Sequence, residues 1–188
     1  MSQADNIFKL KSGDEAIFKD MVAEWQEKVY NTAVSIVQNP EDAEDITQEV
    51  FVTLYESIKD FREESALSTW IYRITISKSL DHEKRKKRQK HGGLLRKIFL
   101  VKDEDEPVNF DHPGILLDNK ERAVVLFKAL KKLPEKQRIA FTLHKLEGLS
   151  YQEIATVMNT SLFAVESLQG RAKNNLKSIL KKYYQQNF

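Results

Sequence analysis

The sequence predicts an all-α protein: two small helical domains joined by a flexible linker, the second containing a helix-turn-helix. Three observations support this prediction. Apolar residues recur at helical spacing along most of the 188 residues, and the alternation of apolar and polar residues that is typical of strands is absent from the sequence. Helix-capping residues precede several of the periodic segments. One stretch in the middle of the chain loses the periodicity and collects Gly, Pro and acidic residues.

The first half of the chain predicts three helices. A helix over 14–37 carries a long apolar stripe. Asn39 caps a second helix over 40–60, because a proline and two acidic residues follow it in the first turn. A polar break at 65–69 leads to a third helix over 70–88, which ends in a basic run. The apolar stripe of the second helix consists of Ala43, Ile46, Val50, Leu54 and Ile58.

The domain boundary is predicted where the helical pattern fails. Between 89 and 117 the chain contains Gly-Gly, a run of four acidic residues and Pro-Gly, which are signals of a linker. We therefore expect a first domain over 1–90, a linker over 91–117 and a second domain over 118–188. Two helices open the second domain, over 118–132 and 135–146, and Gly148 ends the latter.

The helix-turn-helix is predicted from signals at both of its helix starts. Ser150 and Glu153 form a capping box, and a short helix follows to Met158. Asn159 tolerates a left-handed turn, and Ser161 can cap the longer second helix. This geometry is typical of a recognition helix that enters the DNA major groove, although an ordinary helical hairpin is the alternative. The inward positions of the second helix are Val165, Leu168, Ala172 and Leu176.

The net charge of the chain is +2, but the charged residues are distributed unevenly along the sequence. Residues 84–97 carry eight basic and no acidic side chains, and from residue 118 onward thirteen Lys or Arg stand against six Asp or Glu. The segments 39–51 and 103–106 are acidic instead. This division fits a protein that binds a polyanion on some faces and a protein partner on another.

Composition excludes several functional classes. The chain has no cysteine, so disulfides, thiolate zinc sites and cysteine nucleophiles are excluded. No apolar run reaches the roughly 20 residues of a membrane-spanning helix, and the N-terminus does not resemble a secretory signal. The four histidines lack metal-ligand spacing, and there is no Gly-rich phosphate loop. We therefore expect a cytoplasmic protein without membrane insertion, enzymatic activity or a cofactor.

Four segments, in chain order, resemble bacterial RNA polymerase sigma factors of the extracytoplasmic-function (ECF) group. Residues 42–51 are similar to region 2.2 of that family, and residues 68–74, with Asp81-His82 and the basic tail, to regions 2.3 and 2.4. Residues 133–138 and 147–155 are similar to region 4. The resemblance implies that the protein binds core polymerase and directs transcription initiation by reading the −10 and −35 promoter elements. In the cell it would be nucleoid-associated when bound to polymerase.

The resemblance assigns an acidic helix face to the clamp helices of the largest polymerase subunit. Asp45 and Glu49 are four residues apart, so they share one face of a helix. A solvated face whose acids complement the helix dipole is the alternative interpretation. The residues that the resemblance assigns to polymerase are Asp42, Asp45, Gln48 and Glu49.

The resemblance assigns the following loop and helix to melting and reading the −10 element. A polar loop beside aromatic residues and a basic helix suits single-stranded DNA. We expect Trp70 in the core, and Tyr72 and Arg73 partly exposed. The loop residues implied to capture an unstacked base are Arg62, Ser65, Leu67, Ser68 and Thr69. The helix residues implied to contact this DNA are Tyr72, Arg73, Ser77, Lys78, Lys84, Arg85, Lys87 and Arg88.

For the −35 element the resemblance implicates the recognition helix, and it places region 4 on the flap of the second-largest polymerase subunit. The residues implied are Ser161, Leu162, Phe163, Ala164, Ser167, Arg171 and Lys173.

Two departures from the family leave the promoter sequence open. Ser77 replaces a common Asn, and Glu166 replaces a frequent basic residue; such an acid repels phosphate but accepts from a cytosine amino group.

Two other functions compete with this interpretation. A helix-turn-helix regulator that binds duplex DNA alone would explain residues 150–180 but not the 42–51 motif. A surface-seeking membrane helix over 84–102 would use its basic and then apolar pattern, but Gly92-Gly93 interrupts it. The resemblance further implies that the free protein is autoinhibited or held by an anti-sigma factor or other regulatory protein.

Overall fold

The computed structural model describes residues 3–94 and 120–187, and these residues are helical without strands, which confirms the all-α prediction. The linker predicted over 91–117 lies outside the described residues from position 95 onward. The α-helices, in chain order, are α1 (Gln3–Lys11), α2 (Glu15–Val37), α3 (Pro40–Ser57), α4 (Leu67–Leu94), α5 (Lys120–Lys131), α6 (Glu135–Lys145), α7 (Tyr151–Val157) and α8 (Leu162–Asn187).

Caps fix the starts of α2 and α3, close to where the sequence predicts them. The Asp14 carboxylate accepts from the amides of Ala16 at 3.0 Å and Ile17 at 3.2 Å. Asn39 accepts from the Asp42 amide at 2.8 Å, with a proline in the first turn of α3. These bonds satisfy amides that have no partner inside the helix.

The predicted apolar stripe of α3 is buried along its whole length. Ala43, Ile46, Val50 and Leu54 are fully buried, and Ile58, in a short 3-10 helix over Ile58–Asp60, is 3% exposed. α3 packs against α2 and α4, and α2 also packs on α4. The three helices form the unit that holds the acidic face of α3 in place.

α4 is longer at both ends than the sequence predicts. It begins at Leu67, where the Trp70 amide donates to the Ala66 carbonyl at 3.3 Å. Residues 67–69 therefore form a first helical turn and not a loop. α4 also continues to Leu94 and includes two glycines. Each glycine costs only about 1 kcal/mol relative to alanine, which the helix tolerates.

Trp70 packs into the core as expected. It stacks on Phe61 with ring centroids 5.0 Å apart. The N-terminal helix α1 was not predicted: it buries Ile7 and Leu10 against the same core. A helix this short is marginal alone, so its pattern carries little signal without the surface that it covers.

The helix-turn-helix forms as the sequence predicts. The capping box of Ser150 and Glu153 is complete, and Asn159 adopts the left-handed conformation with φ 49°. Ser161 Oγ accepts from the Ala164 amide at 3.2 Å. The inward residues of α8 include Val165, which is fully buried. α8 packs against α5, α6 and α7, and its first two residues are exposed.

The C-terminal helices α5–α8 pack on the N-terminal helices α1–α4. α7 contacts α4, while α5 and α6 contact α2. Ile36 and Tyr72 from the first group share a buried cluster with Leu143 and Ile154 from the second. The domain limits predicted above stay predictions, but the two groups of helices share apolar cores across their boundary.

Candidate functional site

The outward face of α3 presents carboxylates next to a polar amide. Asp45, Gln48 and Glu49 are exposed, on the side opposite the buried residues Ile46 and Val50. The Asp42 side chain is only 19% exposed because α4 covers it. The structure therefore displays three of the four residues that the sequence assigns to polymerase, and partly covers the fourth.

Two of these carboxylates lie close to basic side chains of α4. Lys86 Nζ lies 2.6 Å from Asp42 Oδ2, and His82 Nε2 lies 3.3 Å from Asp42 Oδ1. Glu49 faces two further cations, Lys78 Nζ at 3.7 Å and Arg85 at 4.0 Å. The residues predicted to bind polymerase thus lie beside residues predicted to bind DNA. The two pairs of Glu49 are largely exposed, and such ion pairs contribute little to stability, so a partner can replace them.

The segment predicted to capture a base is divided between a loop and a helix. Arg62 is exposed and Ser65 is half-buried in the loop, where Glu63 takes a φ of 59° and pairs with Lys11 at 2.6 Å. In the first turn of α4, Leu67 and Ser68 are half-buried and Thr69 is 7% exposed. The expectation that all five residues belong to one loop is therefore wrong, because helical turn geometry directs Thr69 inward.

Tyr72 is the clearest departure from the sequence prediction. It was expected to be partly exposed, and it is 4% exposed. Its ring packs edge-on against Trp25 with centroids 5.5 Å apart, and its hydroxyl donates to Glu147 Oε2 at 3.1 Å. Arg73 is exposed as expected, but its guanidinium donates to backbone carbonyls of α7.

The rest of α4 presents a basic surface. Ser77 is exposed and Lys78 is half-buried beside Glu49. Toward the C-terminal end the positive side chains are exposed, and Lys84 is paired with Asp81 at 3.5 Å. This row suits contacts with phosphates, which position nucleic acid without reading its sequence. The exposed cations predicted to contact DNA in this row are Lys84, Arg85, Lys87 and Arg88.

The start of α8 exposes apolar and polar groups together. Leu162 is 43% exposed and Phe163 is 79% exposed. Exposed apolar groups at the tip of a recognition helix suit contact with thymine methyl groups. Among the other residues predicted for the −35 element, Ser161, Arg171 and Lys173 are exposed, and Ala164 and Ser167 are half-buried.

Two buried polar residues were not identified from the sequence. Gln169 is 1% exposed and donates to the Ala140 carbonyl at 2.6 Å. The Arg138 guanidinium lies 2.9 Å from Glu83 Oε2. The partners are distant in sequence, so the local pattern carried no signal for them.

Glu147 is half-buried between the two groups of helices. Desolvation by burial raises the pKa of its carboxyl to about 7, against the lowering effects of the Tyr72 hydroxyl and Lys28. Burial also raises the pKa of Tyr72, with Glu147 adding to that effect. At Ser150, hydrogen bonds lower the pKa of Glu153 instead.

Within 3–94 and 120–187, no group of three or more His, Asp or Glu side chains is arranged to hold a metal ion. In the same ranges, no helix combines the length and apolar character needed to span a bilayer.

Both halves of the chain match known families. Residues 21–89 match the family described as Sigma-70 region 2, and residues 117–176 match Sigma-70, region 4. The chain is 30% identical over 179 residues to the RNA polymerase sigma-H factor of Pseudomonas aeruginosa, covering 92% of this chain and 90% of that protein. It is 30% identical over 174 residues to the ECF RNA polymerase sigma-E factor of Escherichia coli K12, covering 88% and 87%.

Solved structures share the fold. CnrH in complex with the cytosolic domain of CnrY has a TM-score of 0.69 and 22% identity, covering 94% of this chain and 96% of that one. The sigma factor RpoE in complex with the anti-sigma factor NepR, from Bartonella quintana, has a TM-score of 0.63 and 22% identity, covering 87% and 96%. At these identities the likeness establishes the architecture.

Proposed function

Since this chain belongs to the ECF group of sigma-70 factors, which bind RNA polymerase and direct it to promoters, we propose a division of labour between its surfaces. The acidic face of α3 docks on the polymerase, the loop before α4 and α4 itself act on the −10 element, and α8 reads the −35 element. The observation that carries this proposal is the acidic face of α3. Its exposed carboxylates lie on one side of a helix whose opposite side is fully buried.

The polymerase contact is proposed to consist of Asp42, Asp45, Gln48 and Glu49 on the clamp helices of the largest subunit. Asp45 and Gln48 face solvent directly, while Asp42 and Glu49 exchange their α4 cations for groups of the polymerase. The helix-turn-helix domain is proposed to contact the flap of the second-largest subunit. Tethering two modest contacts to one enzyme raises the overall affinity.

The DNA contacts are proposed to divide by chemistry. The loop around Arg62 and Ser65, with the first turns of α4, accepts an unstacked base, and the basic end of α4 follows phosphates. At the −35 element, the early residues of α8 face base edges. Arg171 and Lys173 act on bases or phosphates further along the same helix.

The remaining assignments follow from the family. The domain limits 1–90, 91–117 and 118–188 are part of the proposal. As a transcription initiation factor, the protein is proposed to have no enzymatic activity of its own, and to reside in the bacterial cytoplasm, with the nucleoid when bound to polymerase. Because RpoE of Bartonella quintana was solved with an anti-sigma factor, a regulatory protein of that kind is proposed as a further partner.

Run-off transcription with core polymerase tests the docking surface. The double variant Asp45→Lys/Glu49→Lys should lose core association and promoter-dependent transcription while keeping its helical content, because both carboxylates are exposed and support no core packing. The loss should reach roughly 100-fold in affinity, since reversed charges at a matched contact cost several kcal/mol.

The matched control is Asp20→Lys/Glu24→Lys, an exposed acidic pair with the same four-residue spacing on α2. It should leave core association unchanged. Undiminished transcription by a folded Asp45→Lys/Glu49→Lys protein would refute the docking surface. Tight and specific footprinting of duplex DNA without polymerase would favour a stand-alone regulator.

A further inference from the structure

We propose that Lys11, the last residue of α1, holds the loop before α4 in the conformation that reads a −10 base, through its ion pair with Glu63. This loop, residues 61–66, joins the short 3-10 helix to α4, and we call it the capture loop. The proposal rests on the proposed assignment of Arg62 and Ser65 to an unstacked base. It goes beyond that assignment by naming two positioning residues, which act on the base through the loop.

The capture loop is anchored at its ends and exposed in its middle. Phe61 is 6% exposed and stacks on Trp70 of α4 with ring centroids 5.0 Å apart. This contact joins the start of the loop to the helix that follows it. Arg62, Glu63 and Glu64 are exposed. The direction in which the middle of the loop projects therefore depends on the contacts that these exposed side chains make.

Glu63 has a disfavoured backbone conformation. Its φ is 59°, in the left-handed region that residues with a side chain rarely adopt. Such a conformation persists only where surrounding contacts maintain it. A left-handed residue turns the chain sharply, so a change at Glu63 would redirect Arg62 before it and Ser65 after it. The loop residues proposed to capture a base thus depend on the conformation of Glu63.

Lys11 contacts both the buried start of the capture loop and its left-handed residue. Its Nζ atom lies 2.6 Å from Glu63 Oε1. The same atom lies 5.8 Å from the centroid of the Phe61 ring, within the range of a cation–π contact. One ammonium group therefore ties the exposed middle of the loop to its anchored end.

The backbone at Lys11 lies at a well-defined corner between α1 and α2. The Gly13 amide donates to the Leu10 carbonyl and the Asp14 amide donates to the Lys9 carbonyl, both at 3.1 Å. Gly13 takes a φ of 83°, and this pair of bonds is typical of a helix that ends in a left-handed glycine. Asp14 also caps α2, and Leu10 is buried in the core. Lys11 is therefore held in place relative to the core and can anchor a residue 52 positions away in sequence.

The ion pair is suited to positioning the capture loop rather than to stabilising the fold. The Lys11 and Glu63 side chains are 27% and 50% exposed, and exposed pairs contribute little to the free energy of unfolding. A short loop has several conformations of similar free energy, so a small bias selects one of them. Loss of the pair should therefore change the base preference while the fold is retained.

Base preference of the holoenzyme, formed from the full-length chain and core polymerase, tests the proposal. The probe is a pool of single DNA strands with about 12 random positions, and the bound strands are sequenced. Ser65→Ala identifies the position that the capture loop reads, because the preference there should disappear. Lys11→Glu and Glu63→Lys should each reduce the preference at that position roughly tenfold, the discrimination that one base contact supplies. The charge-swapped double variant should restore it.

Two control variants separate the ion pair from net charge. Lys59→Glu reverses an exposed charge in the 3-10 helix just before the capture loop and should leave the preference unchanged. Lys11→Glu combined with Glu64→Lys has the same net charge as the swapped pair, but its new cation lies one residue further along, so it should not restore the preference. All variants should keep the helical content of the parent, because each substituted side chain is at least partly exposed.

Motion of the capture loop gives a second measurement that does not involve DNA. The chain has no cysteine, so Ala66→Cys places one nitroxide spin label at an exposed position at the end of the loop. Electron paramagnetic resonance of the free protein then reports how freely the label moves. Lys11→Glu and Glu63→Lys should each increase this motion, and the charge-swapped double variant should restrict it again.

Unchanged label motion in both single variants would overturn the proposal. A strand position that responds to Ser65→Ala but to neither charge reversal would overturn the role of the ion pair alone, and so would a rescue by Glu64→Lys that equals the rescue by Glu63→Lys. If no position responds to Ser65→Ala while the label moves more freely in the single variants, base capture by the loop is itself overturned. The two failures are therefore distinguishable.

Discussion

At the scale of single residues, hydrogen bonds at helix ends decide where the helices of the helix-turn-helix begin. Ser150 Oγ accepts from the Glu153 amide at 3.3 Å, while Glu153 Oε2 accepts from the Ser150 amide at 2.8 Å. The two residues satisfy each other's backbone donors. The signal is local, so both residues and the turn at Asn159 were predictable from the sequence alone.

Ser150→Ala should therefore destabilise the protein. The loss of the cap should cost about 1 kcal/mol, which corresponds to a decrease of roughly 2–4 °C in melting temperature for a chain of this size. Differential scanning calorimetry measures this change. Ser178→Ala, at an exposed position inside α8, is the control and should leave the melting temperature unchanged or slightly raised. Equal melting temperatures for the parent and Ser150→Ala would show that the cap contributes nothing to the free energy of unfolding.

Arg171 distinguishes base reading from phosphate binding on α8. If its guanidinium reads a base, Arg171→Ala should weaken binding of the polymerase complex to its −35 duplex by roughly 1–3 kcal/mol and relax sequence preference at one position. Fluorescence anisotropy on single-base duplex variants measures both effects. The control Lys181→Ala removes an exposed cation from the far part of α8. A uniform loss across all duplexes would instead make Arg171 a phosphate contact.

Buried polar residues were beyond prediction at this scale. Gln169 and Arg138 are polar residues that a sequence pattern assigns to the surface. Their burial depends on partners far along the chain, the Ala140 carbonyl and Glu83. Tyr72 was expected to be partly exposed for the same reason, because nothing in the neighbouring sequence indicates its contact with Glu147.

At the scale of elements, amphipathic helices with strong caps were predictable and weakly patterned ends were not. α3 matched its predicted stripe because its caps and its apolar spacing are both local. α1 was missed, since among its described side chains only Ile7 and Leu10 are buried in the core. The start of α4 was placed too late because Ser and Thr in a first helical turn resemble a polar loop.

The stripe of α3 makes a quantitative prediction about stability. Leu54 is fully buried between helices, so Leu54→Ala should cost about 2–5 kcal/mol through lost burial and the remaining cavity. Urea unfolding followed by circular dichroism measures the difference. Val52→Ala, on the same helix but 57% exposed, should change stability by less than about 0.5 kcal/mol. Similar losses in both variants would contradict the described orientation of α3.

At the scale of the whole molecule, the packing of α5–α8 on α1–α4 was not predictable from sequence. Periodicity shows that a helix has an apolar face, but it does not specify which distant element covers that face. The cluster that joins Ile36 and Tyr72 to Leu143 and Ile154 illustrates the point. Within each half, short connections between helices limit the choice of packing partners, and the helices predicted there are present.

The stability of the folded protein should respond to pH through Glu147. Its carboxyl has a pKa of about 7 in the folded protein, against 4.5 when solvated. The stability that this group contributes is fully present below about 4.5 and is lost as pH rises through about 7, by roughly 3 kcal/mol at most. The groups that act on it are the Tyr72 hydroxyl on α4 and the charges of Lys28 and Glu27 on α2.

The melting temperature should accordingly decrease as the pH rises from about 5 to about 8, as calorimetry can measure. Glu147→Gln mimics the protonated carboxyl and should flatten this decrease. The control Glu135→Gln alters an exposed carboxyl at the start of α6 and should retain the pH response of the parent. A pH profile that Glu147→Gln does not flatten would assign the response to another group.

The ion pairs between α3 and α4 have a consequence for cooperativity. Asp42 and Glu49 hold Lys86, Lys78 and Arg85 while no partner is present. A polymerase that takes over the two carboxylates sets those cations free for the promoter, and a promoter that takes the cations sets the carboxylates free. By thermodynamic reciprocity, each ligand then strengthens the other by the same factor. Dismantling the initiation complex reverses this exchange, so losing the promoter also loosens the enzyme's hold on the factor.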